Sequence, residues 1–125
     1  MTALNATMTT REVATRFNEL AQQERWFEIQ DEFFSDDVKS IEPANSPYMK
    51  SAQGKKAVRH KAEQFVANIE AAHKLYTSEP FVTGNHFAVI REKEMTVKGL
   101  GRIQINQIMM YEVRNGQIIS EQFFY

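Results

Sequence analysis

The fold is decided by a stretch near the end of the chain, MMYEVRNGQII, residues 109–119. Two runs of apolar and β-branched side chains flank an Asn115-Gly116 pair in it. Asn-Gly suits the two left-handed positions of a type I′ turn, so the stretch predicts a tight antiparallel hairpin.

The strand pattern extends outward from this hairpin toward the N-terminus. Gly84-Asn85 lies between two further β-rich runs and suits a second hairpin, and 98–101 is a looser connection. The chain from His73 onward is therefore predicted to form about four long strands in a meander.

The first half of the chain carries helical patterns instead. Thr9 and Glu12 have the spacing of a capping box, which marks a helix start. Apolar residues at helical spacing then indicate two helices, separated by a break at 22–24. The two apolar stripes are Val13, Phe17 and Leu20 in the first helix, and Trp26, Ile29 and Phe33 in the second.

A third helix is predicted from about Lys55 to Ala72, where apolar residues again recur at helical spacing. Before it, 38–42 can form a short strand, and the prolines and glycine of 43–54 indicate a loop. His73 would then lie at the C-terminal end of the third helix. The resulting fold class is α+β, with three N-terminal helices packed on a curved antiparallel sheet.

Length and composition limit what the chain can be. Its 125 residues, 42% hydrophobic and 25% charged, suit one domain, for which we expect a tail over 1–9 and a folded unit over 10–125. The net charge of -1, with acidic and basic residues interleaved, argues against nucleic acid as a partner. No membrane span, basic amphipathic segment or secretion signal is apparent, so we expect no membrane partner and a cytoplasmic location. The absence of cysteine excludes disulfides and thiolate catalysis.

Both faces of the predicted sheet carry large apolar side chains. A sheet with one face in water should alternate apolar and polar residues, and the helices can cover only one face. The other face is therefore predicted to pack against a second copy of the chain in a symmetric homodimer. The alternative is a set of scattered surface residues, which are common. The residues assigned to this outer face are Ile108, Met110, Ile118 and Phe124.

Three local motifs occur in a definite order along the chain. They are FSDD leading into SIEP within 34–43, Gly54 followed by Ala57-Val58, and YEVRNGQIISEQFFY at 111–125. Together they resemble the nuclear transport factor 2-like superfamily, and more narrowly its SnoaL-like domains, relatives of ketosteroid isomerase and polyketide cyclases. The resemblance implies a cystatin-like cone, an α+β barrel, with a pocket between helices and sheet. This superfamily includes isomerases, dehydratases, cyclases, hydrolases and non-catalytic binders, so the fold does not choose among them.

The isomerase pattern of these relatives carries over only in part. Its general base is a carboxylate just before a proline, and Glu42 stands before Pro43. Its electrophilic half uses a tyrosine on the first helix and a protonated aspartate on a late strand. Phe17 and Met109 stand at the matching positions, and neither side chain can donate a hydrogen bond. The resemblance therefore implies a base without the usual oxyanion hole.

The resemblance also implies which residues face the pocket, subject to strand parity, because a slip of one residue would invert the assignment. Tyr48 and Met49, in the loop around Pro47, would form a lid over the pocket. The alternative is an ordinary exposed loop. The ligand-binding residues are Phe17, Tyr48, Met49, Ile90, Glu92, Gln107, Met109, Tyr111, Phe123 and Tyr125, with Ile119 beside them.

Two functions stay open at this point. The first is a protein that binds a small, largely apolar molecule with a polar end, and that uses Glu42 as the general base of an isomerase, dehydratase or cyclase. Glu121 is a further catalytic candidate, because repulsion between the carboxylates of Glu42 and Glu121 in one cavity would raise at least one of their pKa values. His86 is another, either as an acid–base group or as a residue that orients a ligand. The alternative for His86 is a side chain exposed to solvent, and the alternative for Glu121 is an ion pair with Arg102. The second function is a non-catalytic ligand-binding or dimerisation module.

No cofactor is expected from the sequence. A metal site is not expected either, because the chain has no closely spaced pair of metal ligands such as His-x-x-x-His. A serine nucleophile lacks its usual Gly-x-Ser-x-Gly context as well. A small-molecule ligand and a second copy of the chain are therefore the two partners that we expect.

Overall fold

A computed structural model describes residues 7–125, so 1–6 of the predicted tail lie outside the described part. The helices are α1 (Thr10–Ala21), α2 (Trp26–Phe33) and α3 (Lys55–Ala67). The strands are β1 (Phe34–Ile41), β2 (Ala52–Gln53), β3 (Ile69–Thr77), β4 (Phe81–Thr83), β5 (His86–Val97), β6 (Gly101–Arg114) and β7 (Gln117–Phe124). No helix in the described part has the length and apolar character needed to cross a membrane. The cytoplasmic location stays a prediction.

The sheet has the order β2-β1-β7-β6-β5-β3, and β4 pairs with β5. Strands β3, β5, β6 and β7 form the predicted meander, and the α+β class with three helices packed on a sheet is confirmed. The sheet is mixed rather than purely antiparallel, because β1 runs parallel to β7. It is also not a closed barrel, since the end strands β2 and β3 do not pair with each other over residues 7–125. Neither the parallel pairing of β1 with β7 nor the open form of the sheet is indicated by a local pattern in the sequence.

Helix α1 begins as the sequence predicts. The Thr9 hydroxyl accepts a hydrogen bond from the Glu12 amide at 3.1 Å, and the Glu12 carboxylate accepts one from the Thr9 amide at 2.8 Å. Its apolar stripe is fully buried and joins one core with the inner face of the sheet. Core members from the two layers include Val13, Phe17, Leu20, Phe87, Val89, Tyr111 and Ile118.

Helix α3 ends earlier than predicted, at Ala67. The chain from Ile69 onward forms β3 instead, where Ile69 pairs with Val97 and Ala72 with Met95 of β5. His73 therefore lies on a strand, 2.8 Å from the Thr96 hydroxyl, and the expected interaction with a helix end is wrong. The helical spacing of the apolar residues continues past Ala67, but pairing with a sheet edge satisfies their backbone groups and decides the conformation.

Strand β7 contains a β-bulge that changes its parity. Glu112 pairs with Ser120 and Val113 with Ile118, so Ile119 is the extra residue. Ile118 consequently points into the core, where it is fully buried. Its predicted place on the outer face is wrong, because simple alternation along the strand does not account for a bulge.

A cavity lined by four carboxylates and four cationic side chains

A cavity of about 450 Å³ lies between the inner face of the sheet, helices α2 and α3, and the loop after β1. Its volume falls within the range of roughly 300–1,000 Å³ that is usual for small-molecule sites. Helix α3 directs the apolar stripe Val58, Ala62 and Phe65 at the cavity, and Trp26 of α2 contributes an aromatic wall. The space between helices and sheet is therefore not filled by the aromatic side chains around it.

Glu42 lies on the cavity wall just after β1, with its side chain only 2% exposed. Lys61 of α3 donates a hydrogen bond to its Oε2 at 2.8 Å, and the Tyr125 hydroxyl donates one to its Oε1 at 2.7 Å. Its backbone amide donates to the Ser51 hydroxyl at 2.8 Å. A buried carboxylate needs paired charge and hydrogen bonds, and Lys61 and Tyr125 supply both.

Glu121 of β7 also lines the cavity and is buried. It stands opposite Ser40 in the parallel β1–β7 pair, and the fully buried Ser40 hydroxyl donates to its Oε2 at 2.7 Å. Burial raises the pKa of Glu121 to about 7; the nearby Glu42 charge adds to this rise, while Ser40, Lys61 and Tyr111 oppose it. A group with such a pKa can donate or accept a proton near neutral pH.

Tyr111 of β6 pairs with Glu121 across the β6–β7 ladder and lines the same part of the cavity. Burial, followed by the negative charge of Glu121, raises the pKa of its phenol well above the usual value. The phenol therefore stays protonated and can donate a hydrogen bond. Tyr111 and a protonated Glu121 can thus donate hydrogen bonds, which Phe17 and Met109, at the donor positions of the isomerase pattern, cannot.

Two cations on β5 form the opposite side of the cavity. The buried Arg91 guanidinium donates to both oxygens of Glu24, at 2.9 and 2.7 Å, and to the Thr77 hydroxyl at 3.0 Å. Lys93 lies two residues further along, with its Nζ 5.2 Å from the centre of the Phe65 ring. Burial, and then the charge of Arg91, lowers the pKa of Lys93 to about 8.

The loop after β1 covers part of the cavity. Tyr48 and Met49 line it, and the Tyr48 ring lies 5.9 Å from the Tyr125 ring between centroids. Burial raises the pKa of Tyr125 to about 12, so its hydroxyl remains a donor to Glu42. The position fits the predicted lid, and the lid function itself stays a prediction.

Most of the residues predicted for the pocket do lie along the cavity, although their roles remain predictions. Those that line it are Glu42, Tyr48, Met49, Gln107, Met109, Tyr111, Glu121, Phe123 and Tyr125.

The prediction that the even-numbered residues of β5 face the pocket is wrong. Ile90 is exposed on the outer face opposite Ile108, and Glu92 forms an ion pair with Lys74 at 2.8 Å on the same face. His86 stands beside Glu112 at 4.0 Å there, outside the cavity, so its catalytic assignment is withdrawn. The sequence did indicate the correct faces of β5, because apolar side chains recur at its odd-numbered positions and mark these as the inner face. They are Phe87, Val89, Met95 and Val97.

Phe17 does not line the cavity either. It is fully buried in the core, where its ring packs against Phe87 and Tyr111 with centroids 4.9 and 4.8 Å apart. Arg102 pairs with Glu94 rather than with Glu121, so that alternative is also wrong. The site also contains residues that the sequence patterns did not indicate, namely Lys61, Arg91 and Lys93 on the cavity wall and Ser40 beside Glu121.

Comparisons with known proteins agree with this architecture. A SnoaL-like protein from Mesorhizobium loti, provisionally named a polyketide cyclase, is 33% identical, with a TM-score of 0.87 over 94% of this chain and 100% of that chain. An NTF2-like protein from Burkholderia thailandensis has a TM-score of 0.77 at 9% identity, over 94% of this chain and 90% of that one. A protein from Catenulispora acidiphila with a ketosteroid isomerase-like fold, solved with trimethylamine, has a TM-score of 0.60 at 19% identity, over 78% and 72% of the two chains.

The search of curated proteins gave no match. The model of the SnoaL-like domain family, in contrast, matches residues 8–125, which is almost the whole chain. The predicted resemblance is thereby confirmed, and this chain belongs to the SnoaL-like domain family.

Proposed function

We propose that this protein binds a small, largely apolar molecule in the cavity and moves a proton next to a carbonyl group of that molecule. The observation that carries the proposal is the presence of two carboxyl groups with different surroundings in one mainly apolar cavity. Glu42 is held by Lys61 and Tyr125, whereas Glu121 is buried with a pKa of about 7. Paired groups whose surroundings differ in this way are typical of acid–base sites.

In this proposal Glu42 is the general base. It takes a proton from the carbon beside the carbonyl, and the electron pair of the broken C–H bond moves to the carbonyl oxygen. Tyr111 and protonated Glu121 donate hydrogen bonds to that oxygen, which replace the donors missing at Phe17 and Met109. Return of the proton from Glu42 to a different carbon of the conjugated enolate gives isomerisation. Its transfer to a β-hydroxyl group, which leaves as water while the carbonyl re-forms and a C=C bond is made, gives dehydration.

A direct test is hydrogen–deuterium exchange in 2-tetralone, a bicyclic ketone with acidic hydrogens beside its carbonyl. We expect the protein in D₂O to accelerate loss of the ketone's C1 proton signal, measured by ¹H NMR against buffer alone. Glu42→Gln should lower this acceleration about 100-fold or more, the usual contribution of a general base. The control is Glu63→Gln, which changes an exposed carboxylate of α3 and should exchange as the unaltered protein does. Equal rates in Glu42→Gln and the unaltered protein would remove Glu42 from the mechanism.

The second candidate is a non-catalytic ligand-binding module. It is favoured by one observation, that each carboxylate oxygen of Glu42 already accepts a hydrogen bond from the protein. This candidate predicts that 2-tetralone binds without any acceleration of exchange, so the same experiment with a binding measurement separates the two.

We also propose that the protein forms a homodimer through the outer face of the sheet. Ile108 pairs with Ile90 on one side and with Phe124 on the other, and these three side chains are 48%, 42% and 45% exposed. Met110 lies next to this row and is 38% exposed. An apolar centre with ion pairs such as Lys74–Glu92 at its edge has the composition of a protein interface.

A further inference from the structure

We propose that the ligand of this cavity carries a carboxylate or comparable anionic group, which pairs with the ammonium group of Lys93. This inference rests on the proposed function, because it concerns the same cavity. It specifies a chemical class of ligand and assigns a binding role to a residue of β5.

The pairing of the cavity cations supports the proposal. Arg25 forms an ion pair with Glu28 at 2.6 Å, Lys61 with Glu42 at 2.8 Å, and Arg91 with Glu24 at 2.7 Å. Lys93 lines the same cavity, yet no carboxylate oxygen of residues 7–125 lies within 4.0 Å of its Nζ. It is thus the one cavity-lining cation, among the described residues, that forms no ion pair with a protein carboxylate.

The surroundings of Lys93 make this unpaired charge costly. Its direct neighbours on the adjoining strands are Leu75 of β3 and Ile105 of β6. On its third side lies the Phe65 ring, whose face attracts the ammonium ion but is a much weaker partner than a carboxylate. A cation among apolar side chains loses hydration, which destabilises its charged form unless an anion approaches. The lowering of the pKa of Lys93 to about 8 is the same effect. An anionic ligand would remove the penalty, and its attraction would be strong because water is largely displaced.

The position of Lys93 also suggests how a ligand would lie. Strand β6 separates β5 from β7, and the residues of β6 that pair with Lys93 and Glu121 are Ile105 and Tyr111. The backbones of Lys93 and Glu121 are thus separated by two strand spacings across the sheet and by six residues along it, roughly 20 Å at about 3.4 Å per residue. A molecule whose anionic end rests on Lys93 can therefore extend its apolar body past Phe65 toward the carboxyl groups. Its reacting carbonyl would lie at the far end from its acid group.

The test uses a matched pair of probes, 2-naphthoate and its neutral analogue 2-naphthamide, with affinities measured by isothermal titration calorimetry at pH 7. We expect the unaltered protein to prefer the carboxylate by about tenfold or more. The preference should disappear in Lys93→Met and persist in part in Lys93→Arg, which keeps the positive charge. Lys74→Met is the control, because Lys74 lies on the neighbouring strand but on the outer face, and it should leave the preference unchanged.

The pH dependence provides a second readout. The charged groups that act on Lys93 are Arg91, Glu42 and Glu24, and its ammonium should lose its proton as the pH rises past about 8. The preference for 2-naphthoate should therefore fall at pH 9.5 to 10 in the unaltered protein, while binding of 2-naphthamide does not follow this change.

Equal affinities of the two probes in the unaltered protein, or a preference that survives in Lys93→Met, would overturn the proposal. In both cases binding of 2-naphthamide would leave the proposed ligand-binding function intact. Failure of both probes to bind would overturn the two proposals together.

Discussion

The hydroxyl of Ser40 donates a 2.7 Å hydrogen bond to the carboxyl group of Glu121, and the two residues are direct partners in the only parallel strand pair among the described residues. They are separated by 81 positions in the chain. This contact joins the strand that leads to Glu42 with the last strand of the fold. It thereby brings both carboxyl groups of the candidate site to one wall of the cavity.

The first prediction concerns the pH dependence of stability. Folding raises the pKa of Glu121 from 4.5 to about 7, so the folded state holds this proton more tightly than the unfolded chain does. The associated stabilisation should be fully present below about pH 4.5 and be lost as the pH rises to about 7. The size of the loss is roughly 3 kcal/mol as an order of magnitude.

Glu121→Gln should remove this part of the pH dependence, because an amide does not titrate and can still accept the Ser40 hydrogen bond. We expect the variant to be more stable than the unaltered protein at pH 8 and not at pH 5, by urea denaturation at both values. Glu63→Gln on the exposed face of α3 should keep the original slope. An unchanged slope in Glu121→Gln would show that Glu121 does not titrate abnormally.

The second prediction concerns the buried ion pair between Lys61 and Glu42, whose side chains are 16% and 2% exposed. Lys61→Met should destabilise the fold by about 3 kcal/mol, because it leaves a buried carboxylate without its counter-charge. Adding Glu42→Leu should restore much of this loss, since the apolar pair needs no compensation. Chemical denaturation of the two single variants and the double variant gives the coupling energy.

The exposed pair Arg16–Glu32 is the control for this cycle, with side chains 41% and 39% exposed. Arg16→Met should cost no more than about 1 kcal/mol, as is usual for surface ion pairs. Simple additivity of Lys61→Met and Glu42→Leu would contradict the interpretation of the buried pair.

The third prediction concerns the homodimer. Met110→Glu places a charge beside the apolar row formed by Ile90, Ile108 and Phe124, and should yield monomers because an unpaired charge is excluded from an apolar interface. Sedimentation velocity at several protein concentrations measures the change. Gln64→Glu, at an exposed position of α3 in the helical layer, is the control and should remain dimeric. Persistence of the dimer in Met110→Glu would show that another surface forms the contact.

The fourth prediction concerns the turn that decides the hairpin. Gly116 has φ of +74°, and a Cβ atom there would lie 2.9 Å from Thr7 Cγ2 and 3.2 Å from the Met8 amide nitrogen. Gly116→Ala should therefore cost more than the roughly 1 kcal/mol of strain at a left-handed position alone. Gly84→Ala is a matched control, because Gly84 has φ of +56° and open space around its Cβ position. Equal thermal stability of the two variants would mean that the N-terminal contact adds nothing.

The elements that could be predicted from the amino-acid sequence are those with local signals. The capping box at Thr9 starts α1 as predicted, and Asn115 and Gly116 both adopt positive φ in the predicted hairpin. The alternation of side chains along β6 correctly places Met109 on the inner face of the sheet and Met110 on the outer face. These features succeed because capping, turn geometry and the pleat of a strand depend on residues that are close in the chain.

Features that depend on partners distant in the chain became visible in the folded protein alone. The strand at Ile69 forms because β5 offers an edge, and the parallel pairing of β1 with β7 brings Ser40 to Glu121. The bulge at Ile119 exchanges the two faces to which the side chains of part of β7 point, and simple alternation along the strand does not predict this. Most of the candidate site belongs to this second group, since Lys61, Arg91 and Lys93 line the same cavity as the carboxyl groups only when α3 and β5 enclose it. Charges and hydrogen bonds act between neighbours in space, and for this site those neighbours are far apart in sequence.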